Sequence, residues 1–283
     1  MTNVLGGPYR LGIIGNPVAH SLSPALHQPA LDALGIPATY ERWPTTADEL
    51  PGRIAGLRDP DALGASVTVP HKLAVMALVD AVSPQARRAG AVNTVVNRDG
   101  SLFGDNTDIN GFATSLGEAL NGTTARSAVV LGAGGAARAV VLALESFGVG
   151  EIVVVNRDVA KAARLANDLH PAPVRPAGLD ETTLAAELPK AEALVNATSL
   201  GWHAGEAPLD LAMLALLPRG ALVADLTYRD TDLLNAATER GLPTLDGLGM
   251  LVYQGVRAFE LWTGQRPPVE LMLAAAKRAR SGG

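Results

Sequence analysis

The chain has 283 residues, 48% of them hydrophobic and 18% charged, with a net charge of −5. This length predicts two domains, the apolar fraction excludes a disordered chain, and the scattered positive charge argues against a nucleic-acid partner. With no cysteine there is no disulfide or thiolate nucleophile, and the five histidines form no HExxH or H-x-H pattern, so no metal is expected.

The first residues lack the basic-then-apolar pattern of a signal peptide, and no uncharged apolar run reaches ~18 residues, so a cytoplasmic protein with no membrane partner is expected. Short apolar runs alternate with segments of helical period, as in an α/β protein. Strands are predicted over 10–15, 38–43, 63–69 and 91–97, and helices over 24–34, 47–57 and 72–89. The stretch NRDGSLFG, 97–104, carries an Asp-Gly turn and predicts a hairpin.

A helix at 109–120 opens a second βα series. Strand 127–131, helix 135–147, strand 151–155 and helix 158–169 follow, then strands at 193–197, 221–226 and 243–245. Residues 248–279 are again helical. The predicted fold is α/β with two domains, the boundary at Asp108 and a return at Gly247. The terminal helices can pack on the second domain or run back to the first.

Within the second series, Gly132-Ala133-Gly134-Gly135-Ala136-Ala137 lies between an apolar strand and a helix. This G-x-G-x-x-A pattern in strand–turn–helix context predicts a dinucleotide site. The first glycine permits the turn, and Gly134 lets the backbone approach a pyrophosphate on the helix N-terminus. The next strand ends in Asn156 and Arg157, with Lys161 one turn on. A guanidinium there suits the 2′-phosphate of NADP, whereas Asp158 beside it suits the ribose of NAD. NADP is the expected cofactor.

Polar motifs follow the strands of the first domain: GNPVAHSLSPALH (15–27), GASVTVPHK (64–72), GAVNT (90–94) and GDNTDING (104–111). The segment GLGMLVYQGVRAFELWTG (247–264) closes the set. In order and spacing, across almost the whole chain, these motifs resemble the shikimate dehydrogenase family. The resemblance implies a substrate domain (1–107), a Rossmann-type NADP domain (108–246), and C-terminal helices (247–283) that pack back on the first domain, with the active site in the cleft. It implies NADPH-dependent reduction of 3-dehydroshikimate to shikimate in the chorismate route to aromatic amino acids. A homodimer is compatible with it.

The family's catalytic pair falls on Lys72 and Asp108. Oxidising an alcohol removes a proton as well as a hydride, and either residue suits the proton. Ser21 and Ser23 resemble the hydroxyls that hold the substrate carboxylate, and Tyr228 a tyrosine near it. Thr68, Asn93 and Gln254 resemble the groups on the ring hydroxyls. Further cofactor contacts carry over to Thr198, Leu226, Gly247 and Met250. Ser66 stands where the family often has Asn. Three alternatives compete: a quinate/shikimate dehydrogenase using NAD, a methylenetetrahydrofolate dehydrogenase, and a non-catalytic NADP-binding sensor. Ser23 and Arg157 favour shikimate over quinate, the paired SLS and NTD motifs disfavour the folate enzyme, and the presence of both Lys72 and Asp108 disfavours the sensor.

Overall fold

The computed structural model describes residues 7–122, 124–203 and 205–281. The chain divides into two units, residues 1–107 with 251–283, and residues 108–250.

The first unit opens with β1 (Tyr9–Gly15), α1 (Ser23–Ala33), β2 (Ala38–Pro44), α2 (Leu50–Ala55) and β3 (Ala62–Val67). Then come β4 (Ala81–Val82), α3 (Pro84–Ala89), β5 (Thr94–Arg98) and β6 (Ser101–Asp105). Its sheet runs β2-β1-β3-β5-β6-β4. β1 is parallel to β2 and β3, while β5 is antiparallel to β3 and β6. β3 is buried along its whole length, which is why it reads as an almost unbroken apolar run. The β5–β6 turn has Asp99 at φ +52° and Gly100 at φ +87°, the two positive φ values that an Asp-Gly hairpin supplies.

The helix expected over 72–89 does not form. Residues 74–77 make a 3₁₀ turn, Ala81–Val82 pairs with β6 as β4, and only Pro84–Ala89 is helical. Tertiary bonds outcompete helical periodicity here. Asp80 accepts from the Leu102 amide at 2.7 Å and pairs with Arg58, and Ser83 caps α3 by accepting from the Ala86 amide.

The second unit contains α4 (Asp108–Leu120), β7 (Ser127–Leu131), α5 (Gly135–Ser146), β8 (Glu151–Asn156), α6 (Val159–Asp168) and β9 (Val174–Gly178). It continues with α7 (Glu181–Glu187), β10 (Ala193–Asn196), β11 (Leu222–Asp225), α8 (Asp232–Glu239) and β12 (Thr244–Leu245). The sheet order is β12-β11-β10-β7-β8-β9, with every pair parallel. This is the doubly wound order in which the winding reverses between β7 and β10, where such sheets bind ligands. The sequence gives no warning of β9, α7 or α8. β9 (VRPAG) is short and polar, and its Pro176 demotes a strand reading.

α9 (Leu248–Thr263) begins in the second unit and enters the first at Leu251. α10 (Val269–Ser281) then packs on α1. No helix among the described residues is long and apolar enough to cross a membrane.

Candidate active site

In the first unit, two loops that follow strands lie against each other. The Asn16 amide donates to the Val69 carbonyl at 3.0 Å and the Thr68 amide to the Ile14 carbonyl at 2.8 Å. This brings the 15–27 motif beside the 64–72 motif and holds Thr68, half-buried, at the end of β3. Ser21 Oγ accepts from the Ser23 amide and donates to Ser23 Oγ, both at 3.2 Å. Arg42 donates to the Ser21 carbonyl through Nη2 at 2.8 Å, tying β2 to this serine turn. Lys72 was expected at a helix start but lies in the turn before the 3₁₀ segment. Its carbonyl accepts from the Val92 amide at 2.7 Å, which joins it to the GAVNT segment.

That segment carries a buried polar cluster. Asn93 Oδ1 accepts from the Thr107 amide at 2.7 Å and the Thr94 hydroxyl at 3.0 Å. Its Nδ2 donates to Thr107 Oγ1 at 3.0 Å and to Gln254 Oε1 at 3.4 Å. Gln254 Nε2 donates to the Leu251 carbonyl at 2.7 Å, so α9 fixes this side chain. Asn93 and Gln254 are thereby brought together although they are 161 residues apart. Thr94 and Thr107, both buried, are members of the cluster that sequence reasoning missed. The DNTD motif contains Thr107, but only the fold shows that its hydroxyl faces Asn93.

In the second unit, Gly132 follows β7 at φ +106°, and a Cβ there would lie 3.0 Å from the Ala197 carbonyl oxygen. A side chain is thus excluded both by conformation and by space. Thr198 lies beside this turn, with its hydroxyl on Asn196 Oδ1 at 2.7 Å. Gly134 is the N-cap of α5, no side chain caps the helix, and a Cβ on Gly134 would meet nothing within 4 Å. Ala133, Gly135 and Ala136 are half-buried around it. The helix therefore presents its first amides and the positive end of its dipole to open space, a cradle that fits a pyrophosphate.

Asn156 ends β8 and donates to the Asp158 carbonyl at 2.9 Å. Arg157, Asp158 and Lys161 are exposed. Asp158 is the N-cap of α6, and its carboxylate accepts from the Lys161 amide at 3.3 Å. Asp158 thus caps α6, and Arg157 and Lys161 are the exposed cations of this corner.

Leu226 and Gly247 meet on the other side of the sheet's switch point. A Cβ on Gly247 would come 2.0 Å from the Leu226 carbonyl oxygen, so only glycine fits. Asp246 accepts from the Leu248 amide at 3.0 Å and starts α9, which places Met250 in its first turn, buried. Asp225, another residue the sequence reading missed, ends β11 and is buried. It accepts from Asn196 Nδ2 at 3.0 Å, the Thr227 amide at 2.9 Å and the Thr231 hydroxyl at 3.0 Å. Burial pushes its carboxyl above the usual range, and these hydrogen bonds oppose the shift. Tyr228 follows in the next turn, edge-on to Trp202 with ring centroids 5.0 Å apart. Asp108, buried, opens α4. Lys72 thus belongs to the first unit, and Asp108 and Tyr228 to the second.

Three family models match the chain: a shikimate dehydrogenase substrate-binding domain over residues 13–95, shikimate/quinate 5-dehydrogenase over 115–202, and a shikimate 5′-dehydrogenase C-terminal domain over 247–277. A relative named shikimate dehydrogenase (NADP(+)), from Symbiobacterium thermophilum, is 47% identical, covering 98% of this chain and 96% of its own length. The shikimate 5-dehydrogenase of Thermus thermophilus, solved in complex with NADP(H) and shikimate, is 42% identical with a TM-score of 0.84, covering 96% of this chain and 99% of that one. A quinate dehydrogenase from Corynebacterium glutamicum, solved with NAD, is 34% identical with a TM-score of 0.85, covering 95% and 99%. The chain belongs to the shikimate dehydrogenase family.

Proposed function

We propose that this chain reversibly reduces 3-dehydroshikimate to shikimate with NADPH, a step of the chorismate route to aromatic amino acids. The observation that carries the reading is a likeness of 42% identity across nearly the whole chain to an enzyme solved with both NADP(H) and shikimate. The glycine cradle at α5 and the buried donor–acceptor cluster around Asn93 support it. In this reading, residues 1–107 with the C-terminal helices form the substrate domain, and the second unit is the cofactor domain.

When bound, NADP(H) supplies or accepts the hydride. The chain's own residues bind, orient and move the proton. Backbone amides from Gly132 to Ala136 take the pyrophosphate, and Arg157 with Lys161 takes the 2′-phosphate beside Asn156. Thr198, Leu226, Gly247 and Met250 line the remainder of the cofactor site. Ser21 and Ser23, with Tyr228, hold the substrate carboxylate, and Thr68, Asn93 and Gln254 hold ring hydroxyls. A ring bearing several hydroxyls needs short donors and acceptors fixed in place, which is what the Asn93 cluster supplies. Lys72 and Asp108 take the hydroxyl proton on oxidation and return it on reduction. The proposal includes a cytoplasmic location and a homodimer; light scattering on the purified protein tests the latter.

The deciding experiment follows reduced-cofactor absorbance with shikimate or quinate, each with NADP⁺ or NAD⁺. Turnover is expected to be highest with shikimate and NADP⁺. No turnover of shikimate by the folded protein would overturn the reading. Faster turnover of quinate with NAD⁺ would instead align the chain with the quinate dehydrogenase.

A further inference from the structure

Serine hydroxyls carry no charge, so a pair of them meets a carboxylate by hydrogen bonding and leaves its charge unbalanced. The proposed carboxylate serines stand beside a fixed cation that no motif contains. Leu22 is the N-cap of α1, so Ser21 lies just before the helix and Ser23 opens it. Arg42, near the end of β2, donates to the Ser21 carbonyl twice, through Nε at 3.2 Å and through Nη2 at 2.8 Å. Two bonds from one planar group to one oxygen hold the guanidinium against this turn.

The charge of Arg42 is not taken up by a protein carboxylate. Glu41 is its neighbour in sequence, but successive strand residues point to opposite faces. The Glu41 carboxylate accepts from the Trp43 indole N–H at 2.8 Å, on the face away from Arg42. Among the described residues, no aspartate or glutamate pairs with Arg42. α1 has no acidic residue in its first turn and no side chain capping it, so the positive end of its dipole adds to the same field. Arg42 is exposed, so its field acts partly through water and is screened by salt.

We propose that Arg42 makes the serine turn selective for an anion, its guanidinium supplying the positive charge that Ser21 and Ser23 lack. This rests on the reading that those serines hold the substrate carboxylate. The carboxylate takes no part in the hydride transfer, so loss of Arg42 acts on substrate binding and leaves kcat unchanged.

The test is steady-state kinetics of wild type, Arg42→Gln, Arg42→Lys and Arg42→Glu at saturating NADP⁺, in about 0.01 M and about 1 M sodium chloride, where the screening length falls from about 30 Å to about 3 Å. An exposed charge pair corresponds to about 2- to 5-fold in binding. KM for shikimate is expected to rise by about that factor in Arg42→Gln at low salt, and further in Arg42→Glu. Arg42→Lys, which keeps the charge, should stay near wild type. The gap between Arg42→Gln and wild type should close at high salt. With shikimate methyl ester, which has no charge, the variants should match wild type, and kcat and the KM for NADP⁺ should not move. Equal losses in Arg42→Gln and Arg42→Lys would mean that Arg42 only ties β2 to the serine turn, and would overturn the proposal. So would a loss that salt leaves unchanged, an equal loss on the ester, or a wild-type KM in Arg42→Gln at low salt. If Arg42→Glu does not fold by circular dichroism, Arg42→Gln against Arg42→Lys decides it. Wild-type turnover of shikimate is read in the same experiment, and its absence would count against the functional reading rather than against Arg42 alone.

Discussion

His27 lies in the SLSPALH motif, yet its side chain faces the interior. It is stacked between Tyr40 and Phe259, with Trp262 edge-on at 5.3 Å. Neither ring nitrogen has a hydrogen-bond partner among the described residues, and burial lowers its pKa from 6.5 to about 3. Between those two values the unfolded chain binds a proton that the folded chain refuses, so stability falls as pH drops through this window. The slope from this one group is at most about 1.4 kcal/mol per pH unit. Urea denaturation from pH 7 to pH 4 should show a shallower loss for His27→Leu than for wild type, whatever the offset between them. Parallel slopes would mean that acid loss is set by other groups. Such residues mark where sequence reading stops. Ser23, Asn93 and Gln254 are legible because they sit in motifs. The environments of His27 and Tyr40 exist only after β2, α1 and α9 have assembled around them, and the alternation of ATYERWP shows burial without showing a partner.

At the scale of elements, the β7–α5 and β8–α6 units are the most legible part of the chain, although β9, α7 and α8 of the same unit leave no signal in the sequence. β7 and β8 are apolar runs followed by helices with clear starts, and Gly132 in the first turn has a positive φ and no room for a side chain. The 72–89 stretch is the opposite case: its apolar spacing fits a helix, but Asp80 and Ser83 have partners on β6 that a helix would forfeit. The β8–α6 corner ties legibility to function. Arg157 and Asp158 are adjacent in sequence with opposite charges, and the Asp158 carboxylate caps α6 by accepting from the Lys161 amide. Arg157→Ala should raise KM for NADP⁺ by about tenfold, the lower end for a charge-assisted hydrogen bond because the side chain is exposed, and leave NAD⁺ almost unchanged. Asp158→Thr keeps a cap and removes a negative charge, so melting temperature should hold while NADP⁺ binding tightens modestly. Asp158→Ala should cost about 1 kcal/mol of stability. Equal losses for both cofactors in Arg157→Ala would show that this arginine does not read the phosphate.

At the scale of the whole molecule, the chain crosses between units after Thr107 and again at Leu251, and proposed functional residues sit at both crossings. Asp108 is the first residue of the second unit, one position after Thr107 of the Asn93 cluster, and Gln254 follows the return by one turn of α9. Lys72 lies in the first unit, and Asp108 opens the second. Lys72→Ala should lower kcat by about 10²- to 10⁴-fold, the range for a lost proton-transfer group. KM for NADP⁺ should stay near wild type, because the glycine turn at α5 and the Arg157 corner belong entirely to the second unit. Asp108→Asn is the matched change: Asn is also tolerated at a helix start, so stability should survive while the charge is lost. If the two residues act together, the double variant should be little slower than the slower single variant, as in other catalytic sets that function as a unit. Losses that multiply would mean that each residue acts alone. A Lys72→Ala enzyme with near-normal kcat would remove Lys72 from the mechanism and leave Asp108 to carry the proton.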